Sequence, residues 1–192
     1  MMRPFVARLS AWLRWGTESA QDHTARRKIL LCNAGALIGI VSLFLFDGVF
    51  LYSGSRAATL AMLTHLPFYA GFSLVPYLNR HGHALHASWL LAMSAMGTCL
   101  LPMLVAFGTY FDHHYYFILF AVAPSAIFPR GHRLEVALLF LLNSGLFLWF
   151  KTQGMAAAPE IELATPTELR DRLGMLLTVM VVTTLAAFFW SF

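Results

Sequence analysis

Five ionisable residues interrupt long apolar runs: Asp47 in LFLFDGVF, His65 in AMLTHLPFY, and the consecutive Asp112, His113 and His114 near the start of YFDHHYYFILFAVAPSAIF, residues 110–128. A polar group in apolar surroundings costs several kcal/mol, so ionisable side chains there turn inward to partners or water and are functional candidates by default. A carboxylate with two imidazoles is a ligand set for copper, zinc or iron, whose affinity follows ligand type and geometry. Neighbouring residues on a helix point about 100° apart, so one of His113 and His114 serves as ligand and the other lies outside the first ring of contacts. His114 shares a face with Tyr110 and lies near Phe117 and Ile118, which favours it as the inward one. Tyr110, Tyr115, Tyr116 and Phe117 supply an aromatic wall, and Tyr115 and Tyr116 can donate to Asp47 or to a ligand. They equally suit a membrane-interface belt. The same Asp47 and His65 can also hydrogen-bond across helices as interhelical glue, or pass a proton.

Two further groups carry weaker signals. Met93, Met96, Cys99 and Met103 fall near helical spacing and offer soft ligands for copper, although methionine more often fills irregular core gaps. His81, His83, His86 and His132 fall in or beside short turns, where histidines are usually solvated. A b-type haem needs two imidazoles from facing helices, and this chain offers His65 with His114 on one side and His86 with His132 on the other.

These residues must be positioned by helices in a bilayer. The 192 residues are 59% hydrophobic and 11% charged, under half the charge fraction of about 25% in soluble domains. Mean hydropathy is +0.68. The expected fold is all-α: an integral membrane bundle of six transmembrane helices behind an N-terminal amphipathic interfacial helix. The spans are predicted at 29–51, 57–78, 85–107, 110–128, 133–151 and 171–192. Asp47 then sits about 7 Å, and His65 about 12 Å, below the external surface at 1.5 Å per residue. Pro67, Pro76, Pro102 and Pro124 interrupt the second to fourth spans and open room for kinks or a cavity.

Arg26, Arg27, Lys28, Arg80, Arg130 and Arg133 all fall on the N-terminal side, which makes that side cytoplasmic and places the protein in the cell (inner) membrane as a multi-pass chain with both termini inside. Residues 1–25 form the amphipathic cytoplasmic lead-in: Phe5, Val6, Leu9, Trp12 and Leu13 alternate with Arg3, Arg8 and Arg14, the pattern of a helix lying on an anionic face. Residues 26–192 form the membrane domain, with one long external loop at about 152–168 that ends in the capping box Thr165-Pro166-Thr167-Glu168. The net charge of +4 is too small and too localised for nucleic acid. Cys32 and Cys99 lie in separate apolar runs and form no disulfide framework. No Walker loop, dinucleotide-binding glycine pattern or nucleophile elbow occurs, so the domain itself is not expected to be an enzyme.

Six short helices, small loops, the amphipathic lead-in and His113-His114-Tyr115-Tyr116-Phe117 together resemble the hexahelical membrane domains that precede bacterial class III nucleotidyl cyclases and some sensor histidine kinases. One branch of these carries a His-Tyr-Phe signature, matched here by His114-Tyr115 and Phe117 with Tyr116 inserted. The resemblance covers about residues 26–192. It implies a sensory receptor, acting as a homodimer, whose sixth helix leads past Phe192 to a cytosolic effector domain such as a cyclase or kinase.

Overall fold

The computed structural model describes residues 2–20, 22–54, 56–107 and 113–153. Among them the chain is helical, without strands: α1 (Met2–Leu13), α2 (His23–Ser53), α3 (Arg56–Arg80), α4 (Ala84–Pro102), α5 (Tyr116–Val122), α6 (Pro124–Ile127) and α7 (Arg133–Gln153). The predicted sixth span, 171–192, lies outside the described residues, as does the loop before it.

Each boundary has a local cause. Asp22 caps α2, its Oδ1 accepting from the Ala25 amide at 2.6 Å, which satisfies an amide that the first turn leaves without a helical partner. Gly54 closes α2 in the left-handed region (φ 63°) and lets α3 fold straight back antiparallel. Pro67 and Pro76 lie inside α3 without breaking it. Pro102 ends α4, and residues Met103–Phe107 continue as a π-helical turn.

The predicted fourth span is not one continuous helix over its described part. A 3-10 turn at His113–Tyr115 leads into α5, and α6 follows past Ala123 as a separate single turn that ends in extended backbone at Phe128. Pro124 has no N–H for the Phe120 carbonyl, so the ladder breaks where the sequence places it. Four described helices are long and apolar enough to cross a membrane: His23–Tyr52, Ala58–Arg80, Ala84–Ala106 and Arg133–Gln153.

Two packed centres hold the bundle. Cys32, Ala36, Leu43, Phe72, Val75, Ala87 and Leu91 join α2, α3 and α4, with Ala126, Ile127, Phe128 and Leu139 against them. Met96, Cys99, Met103, Phe117 and Phe150 form the second centre, with the Phe117 and Phe150 rings stacked at 5.8 Å. The arrangement inverts a soluble protein. Phe44, Leu51, Leu63, Leu134 and Leu141 point outward, while Asn33, His65, Asn79, Ser88, His114 and Asn143 are buried.

Candidate functional site

Asp47 lies in the last two turns of α2, and His65 lies in the third turn of α3. The Gly54 reversal brings them level. His65 Nδ1 stands 2.6 Å from Asp47 Oδ1, and Tyr69 donates its hydroxyl to Asp47 Oδ2 at 2.8 Å. His65 and Tyr69 are four residues apart and so share one face of α3. Both oxygens of one carboxylate are thus held by neighbours on a single partner helix. His65 is 3% exposed, with the Phe50 ring 6.1 Å away, and Tyr69 packs its ring on Phe44 at 5.0 Å. Pro67, between them on α3, removes the N–H that the Leu63 carbonyl would accept.

With Asp47 ionised its oxygens only accept, and in that state the Nδ1 of His65 carries the shared hydrogen. Nε2 is then the nitrogen left to coordinate or to accept. A carboxylate that fixes a histidine tautomer through one ring nitrogen and leaves the other for a ligand is the usual outer support of a metal-bound imidazole. On this geometry Asp47 orients His65. The phenol that reaches Asp47 is Tyr69, not Tyr115 or Tyr116. Its spacing of four residues from His65 was the available signal.

The other candidates divide. His114 is buried at 4% exposure, stacked on Phe147 at 6.0 Å and against Tyr115 at 4.4 Å. Tyr115 faces outward, its hydroxyl accepting from Lys151 Nζ at 3.0 Å. Tyr116 stacks on Phe120 at 6.0 Å, and Phe117 is fully buried in the second packed centre. Tyr110 and the His113 side chain lie outside the described residues. Among the described residues, no three His, Cys, Asp or Glu side chains gather as a metal-holding group. Met96, Cys99 and Met103 are packed in the second centre, and Met93 is exposed. His86 is exposed, ring edge to His83 at 5.8 Å, and His132, just before α7, is held at 2.7 Å by Glu135 of its first turn.

A second polar cluster, absent from the sequence argument, lies at the opposite end of the same helix pair. Asn79 donates to Asn33 Oδ1 at 2.7 Å, and Asn33 donates to the Leu13 and Trp15 carbonyls at 2.9 and 3.0 Å. Nearby, Ser88 donates to the Ile127 carbonyl at 2.9 Å. Lys28 donates to the Phe128 carbonyl. At the mouth of this end Arg130 pairs with Asp22 at 3.2 Å and donates to Thr24 Oγ1 at 2.9 Å. The Ala25 amide, with Arg130 beside it, holds the Asp22 carboxyl below its ordinary range. No protein-family model, curated protein or solved structure matches the chain.

Proposed function

We propose that this chain is a membrane-embedded sensory domain, and that Asp47, His65 and Tyr69 form its receptor site. The observation that supports the reading most is the doubly held Asp47 carboxylate, which orients a buried imidazole between two long apolar helices. In this reading six spans carry the site in the outer leaflet with both termini cytoplasmic. The domain works as a homodimer and passes its state to a cytosolic effector rather than catalysing a reaction. The ligand is a transition metal (copper, zinc or iron) or a small molecule that takes the Nε2 face of His65, with His113 or His114 able to complete the set. The haem alternative, His65 with His114 and His86 with His132, predicts a Soret band that shifts on reduction.

A second reading has its own support. Both Asp47 oxygens are already engaged, which is what a purely structural tie between α2 and α3 requires. Metal titration of the protein in lipid nanodiscs, read by elemental analysis and a visible spectrum, separates the three. Bound metal that His65→Ala abolishes supports the receptor site, and a Soret band supports haem. Neither, with unchanged melting on adding chelator, leaves the tie.

A further inference from the structure

The two polar clusters are related by an exact register. Asn33 and Asp47 stand fourteen residues apart on α2, and His65 and Asn79 stand fourteen apart on α3. Fourteen residues are two heptads, which return to the same face of a supercoiled pair, and span about 21 Å of helix. One antiparallel seam therefore has a polar cross-link at each end. Apolar packing fills the length between: Ala36, Phe72 and Val75 are buried there, and Gly39 lies so close to Phe72 that a Cβ would stand 2.6 Å from its ring. Sliding α3 along α2 would drive that ring into the α2 backbone and break both cross-links together.

The inner cross-link also holds the N-terminal segment. The Asn33 amide group spends both hydrogens on the Leu13 and Trp15 carbonyls, where α1 ends and the chain turns. Gly16 makes the turn with φ 85°, its Cα facing the Asn79 carbonyl, where any side chain would collide. The Arg80 guanidinium lies 5.1 Å over the Trp15 ring. Asn33 and Asn79 are both buried, so these bonds form away from water, where an unmade bond is costly.

We propose that Asn33 and Asn79 are a latch: they hold α1 against the α2–α3 seam, and the state of Asp47–His65–Tyr69 at the far end of that seam sets how firmly. The output of the outer cluster is then the docking of the amphipathic N-terminal helix. The link to sensing rests on the receptor reading above; the proposed coupling along the seam does not.

Hydrogen exchange of the whole chain in nanodiscs, followed by mass spectrometry over residues 8–17, tests the latch. Asn33→Leu keeps the branching and heavy-atom count of the side chain, removes both bonds to the Leu13 and Trp15 carbonyls, and is expected to speed exchange there at least about tenfold. Asp47→Asn and His65→Ala touch nothing near α1, yet each is expected to speed the same segment about threefold, while residues 140–150 of α7 stay unchanged. Should Asn33→Leu fail to fold, Asn33→Ala removes the same two donors with a smaller side chain and is read in the same way. Wild-type exchange over 8–17 in the asparagine variant overturns the latch. Acceleration there, without any in Asp47→Asn and His65→Ala, overturns the coupling. Coupling in a protein that takes up no zinc, copper or iron upholds the latch and removes only the metal-sensing reading.

Discussion

Tyr69→Phe deletes one oxygen and leaves the ring in place on Phe44, so it isolates a single bond of the outer cluster. The bond is 2.8 Å long and ends on a carboxylate. Hydrogen bonds to charged groups contribute about 1.5–3 kcal/mol in proteins generally, but interhelical bonds in membranes average about 0.6 and reach about 1.7 kcal/mol. Tyr69 is only half-buried, and the Asp47 side chain is 14% exposed, so the membrane range governs and the expected loss is about 1–1.5 kcal/mol. His65→Ala should cost more, about 2–3 kcal/mol, because it removes a buried ring and leaves a carboxylate with one partner fewer. The two donors share one carboxylate, so the double variant should depart from additivity by at least about 0.5 kcal/mol. Equilibrium unfolding in bicelles by added detergent, on wild type, both single variants and the double, gives all three numbers. Tyr77→Phe is the control: Tyr77 is exposed and meets His81 edge-on at 4.3 Å, so losing its hydroxyl should change little. A Tyr69→Phe protein as stable as wild type, or strict additivity with His65→Ala, would refute the account of the cluster.

Three further outcomes follow from the same geometry. Gly39→Ala should destabilise by about 1–3 kcal/mol, since the new methyl meets the Phe72 ring at 2.6 Å; the same unfolding assay reads it. Asp22 has its folded pKa below the unfolded value of about 3.9, so its cap stabilises above that pH and fades as pH falls through the folded value. Thermal melts of wild type and Asp22→Asn should therefore differ by a constant amount at pH 5–7 and converge below about pH 4. Replacing His81 and His83 together by Ala should shift stability by no more than about 0.5 kcal/mol, because both are exposed in the turn before α4; melting curves check it, as does unchanged metal content.

Asp47 and His65 were legible because a charge or imidazole inside an apolar helix demands a partner, and the Gly54 turn makes the two level. Tyr69 was not, since a tyrosine among apolar residues reads as a belt anchor until its helix face is known. Asn33 and Asn79 escaped for a related reason. Uncharged amides raise no alarm in a hydropathy profile, and their meaning lies in a register between helices that a single stretch of sequence does not display. Residues 110–128 read as one span from composition alone, whereas Pro124 divides α5 from α6. The buried His114 follows from its place opposite Phe147 on α7, a contact between segments about thirty residues apart.

The central claim is that Asp47 orients His65 to receive a ligand, and metal affinity tests it most directly. Wild-type protein in nanodiscs, titrated in turn with zinc, copper and iron and read by isothermal calorimetry with elemental analysis, should take up one of them saturably. Asp47→Asn should weaken that uptake by about 10- to 100-fold, the usual effect of losing a carboxylate behind a metal-bound histidine, and His65→Ala should abolish it. A wild-type protein that takes up none of the three, and melts at the same temperature with and without chelator, would contradict the claim.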